Sequence, residues 1–270
     1  MDNVATLLAG KRALVIGGGR GIGRAISLQL GAGASVAVVD IERDRAQSVS
    51  EEIAQTGSAC PLTADVLKTE DVERVVGQAR EAFGGIDVLV TVVGGHNAFA
   101  PWQPMHECSE EQWDLLMGVN LRYVFTVTRA VVRVLLEQGQ GGSVVYTGSV
   151  SGMAGAPNHS PYGAAKAGVI HLARSLALEY GRYGIRFNVV SPGSVLTPAV
   201  ADALAPEQKA AMAERIPLGR SAAPEEIARA VLFFASPLSS YVSGQVLAVD
   251  GGATVRFPLS APGAHPSEAV

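Results

Sequence analysis

Cysteine is scarce in this chain of 270 residues, which contains Cys60 and Cys108 and no other cysteine. Their separation fits neither a disulfide framework nor a zinc-binding pair, so we expect two reduced, buried thiols in a cytoplasmic protein. Histidine, aspartate and glutamate form no grouping with the spacing of metal ligands, and we therefore expect no metal site.

Charged residues and long apolar runs are also scarce. Charged residues make up 17% of the chain, the formal net charge is -4, and no long basic run occurs. Nucleic acid is therefore not an expected partner. No uninterrupted apolar run approaches the length of a membrane span, and residues 1–10 lack the charged start and apolar core of a secretory signal. The 48% of hydrophobic residues is instead enough for a full core, and no membrane association is expected.

Short apolar segments alternate with segments of helical periodicity along almost the whole chain. This alternation predicts a single Rossmann-type, doubly wound parallel sheet of about seven strands, an α/β fold with helices on both faces. The predicted strands are 12–17, 35–40, 59–65, 86–93, 143–147, 185–190 and 245–249. The predicted helices are 21–30, 43–55, 69–83, 109–137, 162–183 and 224–234. Residues 1–257 are predicted to form one domain with a partly helical substrate lid at about 194–220, and residues 258–270 a mobile or interface tail.

A glycine-rich turn joins the first predicted strand to the first predicted helix, in the order Gly17-Gly-Gly-Arg-Gly21-Ile-Gly23. Glycines in such a turn let the backbone approach a pyrophosphate closely, and the helix N-terminus offers free N–H groups to the anion. The spacing predicts dinucleotide binding, and a glycine turn without a ligand is the alternative.

Acidic residues follow the second and third predicted strands. Asp40 is placed to accept hydrogen bonds from the adenosine ribose and would repel a 2′-phosphate, so it favours NAD over NADP. Arg20 and Arg43 lie close enough in sequence to keep NADP open. Asp65 is placed to bind the adenine amino group, and the alternative is a helix cap.

Tyr162 and Lys166 are four residues apart on a predicted helix and therefore share one face. A nearby ammonium favours the phenolate form of a tyrosine, which would make Tyr162 a plausible proton donor or acceptor near neutral pH. Ser149 precedes this pair by thirteen residues, at the end of a predicted strand. A solvated helix surface is the alternative for an isolated pair of this kind.

These motifs together resemble the single-domain short-chain dehydrogenase/reductase family. The resemblance rests on the glycine turn, on Ser149 with Tyr162 and Lys166, on Asn188-Val-Val-Ser-Pro192-Gly193, and on Tyr241-Val-Ser-Gly-Gln245 followed by Asp250-Gly-Gly252. It covers about residues 8–254.

The resemblance implies a role for each matching residue. Tyr162 would be the acid/base, Lys166 would bind the nicotinamide ribose, and Ser149 would hydrogen-bond the substrate oxygen. Asn120 matches a helix asparagine that holds a water linked to Lys166. The segment that would hold the nicotinamide carboxamide includes Pro192, Gly193, Val195 and Thr197. The full set of expected cofactor-binding residues is Gly17, Gly19, Arg20, Gly21, Ile22, Gly23, Asp40, Ile41, Asp65, Val66, Gly94, Tyr162, Lys166, Pro192, Gly193, Val195 and Thr197.

Two positions depart from the family pattern. Ile16 stands where threonine is usual, and Thr91-Val92-Val93-Gly94 stands where Asn-Asn-Ala-Gly is usual. The polar side chains that are missing here usually tie the central strands together and line the adenosine side.

Candidate substrate contacts lie in loops that follow strand C-terminal ends, where open α/β sheets bind ligands. The candidates are His96, Trp102, Ser151, Met153, His159 and Leu196, with Asn97, Phe99 and Asn158 in the same loops. A solvated loop residue is the alternative for each.

The sequence therefore predicts an NAD(H)-dependent oxidoreductase that interconverts a secondary alcohol and a ketone. The apolar, alanine-rich lid favours a small, uncharged or largely apolar substrate, such as a cyclic, steroid-like or terpenoid-like alcohol. The alternatives are an NADPH-dependent 3-oxoacyl reductase and a catalytically idle dinucleotide-binding sensor. Apolar positions on helices 109–137 and 162–183 predict a homo-oligomer, with a tetramer expected and a dimer as the alternative.

Overall fold

The structure is a computed structural model that describes residues 4–96 and 98–255. Two predictions lie outside the described residues. They are the tail at 258–270 and Asn97 as a substrate contact.

A parallel sheet of seven strands forms the centre of the described fold. Its strands are β1 Arg12–Ile16, β2 Ser35–Asp40, β3 Ser58–Thr63, β4 Val88–Thr91, β5 Gly142–Thr147, β6 Ile185–Pro192 and β7 Val246–Val249. They lie in the order β3-β2-β1-β4-β5-β6-β7, and every neighbouring pair is parallel. The predicted doubly wound fold is therefore confirmed.

Helices cover both faces of this sheet. They are α1 Val4–Leu7, α2 Gly21–Gly31, α3 Arg43–Ala54, α4 Thr69–Phe83, α5 Glu110–Met117, α6 Tyr123–Gln138, α7 Ser160–Tyr180, α8 Pro198–Ala203, α9 Pro206–Ala213 and α10 Pro224–Ala235. The predicted lid at 194–220 contains α8 and α9, two short helices that each begin with a proline at a first-turn position.

Alternate residues of each strand enter one of two cores. In β1, Leu14 and Ile16 belong to the core under α4, α6 and α7, whereas Ala13 and Val15 belong to the core under α2, α3 and α10. Because side chains alternate across a strand, a central strand with apolar residues on both faces must be covered on both sides. This burial holds the glycine turn and the loop after β4 against the rigid middle of the sheet.

The predicted helix 109–137 is one helical segment that contains a π turn. Ser109 caps its start through a reciprocal pair of hydrogen bonds with Gln112, and the π turn at Gly118–Arg122 separates α5 from α6. The whole segment, Glu110–Gln138, is long and apolar enough to cross a membrane by length and composition. It is a core helix of this fold, since 61% of its most apolar window is buried.

The chain reverses its direction of winding between β1 and β4, which are neighbours in the centre of the sheet. In open α/β sheets the loops beyond the strand ends separate at such a point and leave a crevice for a ligand. The loop after β1 carries the glycine turn, and the loop after β4 carries Gly94 and His96. The topology therefore brings these two predicted parts of the site together.

Candidate active site

A cleft of about 1000 Å³ opens at the carboxyl end of the strands, where the winding reverses. Most of the predicted cofactor-binding residues line it, namely Gly17, Gly19, Arg20, Gly21, Ile22, Gly23, Asp40, Ile41, Asp65, Val66, Gly94 and Thr197. The other five predicted cofactor-binding residues are not among the described residues that line the cleft; they are Tyr162, Lys166, Pro192, Gly193 and Val195. The cleft is thus the adenosine and pyrophosphate side of the predicted cofactor site.

The glycine turn forms a cradle that leaves no room for a side chain at its glycine positions. Gly17 and Gly21 have φ values of +88° and +52°, a region that favours glycine. A Cβ on Gly23 would overlap the carbonyl oxygen of Gly17. Helix α2 begins at Gly21, so its first backbone N–H groups face this cradle. The residues present therefore fit a dinucleotide pyrophosphate.

Asp40 is buried at the end of β2 and its carboxylate is held by the backbone. One oxygen accepts a hydrogen bond from Gly19 N, the other from Glu42 N, both at 3.1 Å. The guanidinium of Arg45 lies 3.9 Å from the carboxylate. Arg45 lines the cleft. The sequence had suggested Arg43, together with Arg20, as the basic residue near Asp40, but Arg43 is not among the described residues that line the cleft. Both arginines lie in the first turn of α3, so their position in the sequence does not distinguish Arg45 from Arg43.

Asp65 has a local structural role and also lines the cleft. Its side chain accepts a hydrogen bond from Leu67 N at 3.0 Å, and its own N–H donates to Asp71 at 2.9 Å. Asp65 lies beyond β3, in the turn that leads into α4, rather than within the strand that was predicted to end at residue 65. The bond from Leu67 N is a turn contact and not the helix cap that was the alternative for Asp65, because the N-cap of α4 is Lys68.

Ser149, Tyr162 and Lys166 come together beside β5. The Ser149 hydroxyl accepts from Ser151 N at 3.1 Å, and its interaction with the Tyr162 side chain lowers the pKa of that phenol. Lys166 lies one helical turn after Tyr162 on α7, is fully buried, and donates from Nζ to the Thr147 carbonyl oxygen at 2.9 Å. Its Nζ is 5.7 Å from the centre of the Tyr162 ring. The predicted helical spacing therefore brings the phenol and the ammonium to one face.

The ionisation of this group is governed by burial. Burial raises the pKa of Tyr162, and the interaction with Ser149 only partly opposes that rise. Burial also lowers the pKa of Lys166 to about 8. The sequence predicted that Lys166 would make Tyr162 easier to ionise. The net direction in the structure is the opposite, because desolvation of the phenolate outweighs the other effects.

Asn120 lies in the π turn and is fully buried. Its side-chain Oδ1 accepts from Gly95 N, and its Nδ2 donates to Gly95 O, both at 2.9 Å. Nδ2 donates its second hydrogen bond to Leu116 O at 3.0 Å. Both amide protons are thus committed to backbone carbonyls, and the side chain fixes the loop after β4.

Tyr162 belongs to a cluster of four aromatic rings, with His159, Trp102 and His96. The His159 ring stacks on Tyr162 with centroids 4.6 Å apart, and Trp102 stacks on the other side of His159 at 4.1 Å. The His96 ring meets His159 edge-on at 4.6 Å and Tyr162 edge-on at 6.3 Å. Two of the predicted substrate residues, His96 and His159, therefore contact the predicted acid/base, and Trp102 contacts both histidines.

The remaining substrate candidates are spread around this stack. Ser151, Met153 and His159 line a second groove of about 330 Å³. Leu196 lies on the lid segment, where its N–H donates to Ala222 O at 2.8 Å. Phe99 lines the large cleft. No group of three or more potential metal ligands occurs among residues 4–96 and 98–255.

A family model described as enoyl-(acyl carrier protein) reductase matches residues 17–254. Among curated proteins, the 3-oxoacyl-[acyl-carrier-protein] reductase FabG of Thermotoga maritima is 38% identical, with 92% of this chain and 99% of the relative aligned. The chain belongs to the short-chain dehydrogenase/reductase family.

Other members of the family show how widely its substrates vary. The 2,5-dichloro-2,5-cyclohexadiene-1,4-diol dehydrogenase of Sphingobium indicum is 37% identical, over 92% of this chain and 98% of the relative. A solved 7α-hydroxysteroid dehydrogenase, complexed with NADH and 7-oxo glycochenodeoxycholic acid, superposes with a TM-score of 0.86. It is 32% identical and covers 93% of this chain and 98% of its own. As a short-chain dehydrogenase/reductase, this protein is an oxidoreductase that acts on alcohol or carbonyl groups with NAD(H) or NADP(H).

The two departures from the usual family sequence lie opposite each other. Ile16 on β1 and Thr91 on β4 are partners in the sheet register, and Ile16 is buried and apolar. The backbone bond from Val92 N to Ile16 O at 2.8 Å continues the pairing past the strand end. The Tyr123 hydroxyl also donates to Val93 O at 2.7 Å. Helix α6 thus holds the loop that polar strand side chains usually fix in this family.

Proposed function

We propose that this protein interconverts a secondary alcohol and a ketone with NAD(H), using Tyr162 as the acid/base. The observation that carries the proposal is the grouping of Tyr162 with Ser149 and the buried Lys166, which lies one helical turn after Tyr162 with Nζ 5.7 Å from its ring. A phenol in this setting has a second hydroxyl to orient it and a cation to stabilise its ionised form.

The proton chemistry is assigned to residues of the chain. For ketone reduction, Tyr162 donates its proton to the substrate oxygen, a step that suits a tyrosine whose raised pKa keeps it protonated. Ser149 donates a hydrogen bond to the same oxygen and stabilises the charge that develops there. For oxidation, Tyr162 takes the proton of the substrate hydroxyl. The bound nicotinamide supplies or accepts the hydride.

Lys166 is proposed to hold the nicotinamide ribose and to stabilise the Tyr162 phenolate. Its lowered pKa of about 8 lets it gain or lose a proton near neutral pH. The Thr147 carbonyl, 2.9 Å from Nζ, keeps the ammonium directed toward β5. Because the Asn120 amide protons are committed to Gly95 and Leu116, any water that links Lys166 to solvent would be held by the backbone of the π turn rather than by that N–H group.

The preference for NAD is proposed from Asp40. Two backbone N–H groups fix its carboxylate at the end of β2, at the wall of the large cleft. A carboxylate there can bind both ribose hydroxyls and repels a 2′-phosphate. The bound cofactor would contact the glycine turn, Asp40, Ile41, Asp65, Val66 and Gly94, with Pro192, Gly193, Val195 and Thr197 on the nicotinamide side.

An NADPH-dependent 3-oxoacyl reductase is the second candidate. Arg45 lies 3.9 Å from Asp40, and Arg20 is on the same cleft wall, so two guanidinium groups are available for a 2′-phosphate. The relative from T. maritima is a reductase of this class. Asp40 opposes this candidate, because it would have to turn away or be neutralised by Arg45.

A largely apolar, uncharged substrate is proposed from the residues around Tyr162. Trp102, Met153 and Leu196 are each exposed by more than a third, and Met153 lines the same groove as His159. The structural neighbour with a bound 7-oxo steroid acid supports a cyclic ketone as the first substrate to test.

The test is a panel of secondary alcohols and ketones, each assayed with NAD(H) and NADP(H) through the absorbance of the reduced nicotinamide. The panel should include cyclic, steroid and terpenoid alcohols and a 3-oxoacyl thioester. Turnover of an alcohol or ketone with NAD(H) supports the proposal. Activity confined to the thioester with NADPH would instead establish the second candidate.

A further inference from the structure

The two histidines of the aromatic stack are buried and adjacent. His96 and His159 are only 6% and 7% exposed, and both rings contact Tyr162. They come from different loops, one after β4 and one just before α7. A loop histidine is more often solvated, so the burial of both against one tyrosine requires an explanation.

Dedicated contacts hold each ring in place. Asn120 fixes the backbone of Gly95, and His96 Nε2 lies 2.9 Å from the carbonyl oxygen of Pro101. Asn158, just before His159, has a left-handed φ of 59°, and its carbonyl accepts from Gln103 N at 3.3 Å. Backbone contacts therefore fix the position of both imidazoles.

One nitrogen of each ring has no hydrogen-bond partner within the part of the chain that the structure describes. These atoms are His96 Nδ1 and His159 Nε2, and both are buried. Leaving a buried polar atom unpaired is unfavourable, so such atoms normally have a partner, which a bound group or a water can supply.

The two nitrogens have complementary hydrogen-bonding roles. Since Nε2 of His96 donates to a carbonyl oxygen, Nδ1 of the neutral ring is an acceptor. The Ser151 hydroxyl lies 3.4 Å from His159 Nδ1, and when this hydroxyl donates, Nε2 carries the proton and is a donor. A hydroxyl group both donates and accepts, so one hydroxyl can satisfy both nitrogens.

We propose that His96 and His159 form a recognition site for a second hydroxyl of the substrate, on the carbon next to the one that reacts. The preferred substrate is then a vicinal diol, or the corresponding hydroxyketone, on an otherwise apolar ring. This inference rests on the proposed function, because it places the reacting oxygen at Tyr162. The rings lie within direct contact of Tyr162, which restricts the second hydroxyl to a neighbouring carbon.

The charge state of the site favours a neutral group over an anion. Burial and the neighbouring His96 lower the pKa of His159 to about 4, so this imidazole is neutral at physiological pH. Trp102 stacks on His159 and is itself 53% exposed, so the ring that carries the hydroxyls would take the place of its indole.

The experiment compares substrates that differ by one hydroxyl. Cyclohexanol and the cis and trans 1,2-cyclohexanediols are oxidised with NAD by the wild-type protein, His96→Phe and His159→Phe. His159→Gln keeps an N–H donor, and His106→Phe is the matched control, because His106 is an exposed histidine outside the stack. The readout is the ratio of kcat/KM for the better diol to that for cyclohexanol, with kcat and KM resolved separately.

The proposal expects a wild-type ratio of about ten or more, which falls about tenfold in each Phe variant, mainly through the KM of the diol. His159→Gln should retain part of the preference, and His106→Phe should keep the wild-type ratio. A wild-type protein without a preference for the diol would overturn the proposal. An unchanged ratio in both folded Phe variants would overturn it as well.

Failure of the proposed function gives a different result. If the wild-type protein oxidises none of these alcohols and reduces none of the ketones with either cofactor, the proposed function fails. Calorimetric titration with the diol then decides the inference on its own. Binding about tenfold weaker in His159→Phe than in the wild type supports the hydroxyl site, and equal binding refutes it.

Discussion

The side-chain amide of Asn120 forms a reciprocal pair of hydrogen bonds with the backbone of Gly95. Its oxygen accepts from Gly95 N and its nitrogen donates to Gly95 O, each at 2.9 Å. Replacing Asn120 by alanine leaves the buried N–H and carbonyl groups of the loop without partners. We expect the free energy of unfolding to fall by about 2–4 kcal/mol.

Urea unfolding of Asn120→Ala measures this loss. The control is Gln47→Ala, which removes an exposed amide bonded to Glu51 on the surface of α3 and should cost less than about 0.5 kcal/mol. A loss of less than about 1 kcal/mol in Asn120→Ala would show that the clamp on Gly95 contributes little to stability.

Catalysis is expected to depend on the Tyr162 hydroxyl. Tyr162→Phe keeps the ring stacked on His159 but removes the proton donor, so turnover should fall by about 10³ or more while NADH affinity stays nearly unchanged. Steady-state rates and fluorescence titration with NADH measure the two effects. Retention of more than about a tenth of wild-type turnover would mean that another group moves the proton.

Ser149 and Lys166 should give different signatures from each other. Ser149→Ala removes the hydroxyl that interacts with Tyr162, so we expect slower turnover with intact cofactor binding. Lys166→Met removes the buried ammonium and its proposed ribose contact, so both turnover and cofactor affinity should fall. The same two assays separate these cases, and equal NADH affinity in all three variants would argue against a ribose contact by Lys166.

Cofactor choice is expected to depend on Asp40. With NADP, the hydrogen bonds between Asp40 and the ribose are lost and the carboxylate repels the 2′-phosphate. These two effects together disfavour NADP by about 2–4 kcal/mol, so kcat/KM should favour NAD over NADP by about tenfold or more. Asp40→Ala should erase or reverse this preference, because Arg45 is already in place. In the Asp40→Ala background, Arg45→Ala should remove the gain with NADP. Equal or better use of NADP by the wild-type protein would refute the NAD assignment.

Stability should fall in mild acid because of His159. The folded pKa of about 4 lies below the usual 6.5, so the unfolded chain binds more protons between these values and the native state loses stability as the pH falls. From pH 7 to pH 5 this loss should reach about 2 kcal/mol at most, and His159→Phe should escape it. Urea unfolding at both pH values tests this, with His106→Phe as the control. An identical pH dependence in the wild type and His159→Phe would contradict it.

Assembly is expected to involve the exposed apolar residues of α6 and α7. Most of the apolar residues that predicted an interface, such as Val131 and Leu135, prove to be core. Phe125 and Leu178 remain 51% and 88% exposed. We expect a homotetramer, or a dimer, that Leu178→Lys weakens. Light scattering at micromolar concentration measures the mass, and a particle the size of the 27.9 kDa chain would refute the prediction.

The sequence predicted the sheet well because central strands are recognisable from composition. Val36 to Val39 form an apolar run that both faces of a parallel sheet require. The glycine turn was also predictable, since its steric demands are local. The same holds for Tyr162 and Lys166, whose helical spacing fixes their relation.

Relations across long stretches of sequence were not predictable. The π turn depends on a bond from Asn120 to a loop 25 residues earlier, and helical periodicity carries no trace of it. The aromatic stack joins Trp102 to His159 through two irregular loops. The direction of the Tyr162 pKa shift was also not predictable from the sequence, because it depends on burial that only the packed structure defines.

The π turn also determines which changes of length the chain can tolerate. An α-helix advances by about 100° per residue, and a π turn holds one residue more than an α turn. Deleting one residue within Gly118–Arg122 would convert the π turn into an α turn and leave α5 and α6 nearly in their present rotation. The side chains inside the turn would still move, and the amide of Asn120 would no longer meet Gly95. A one-residue deletion here should therefore disable the site even if every side chain named above were kept.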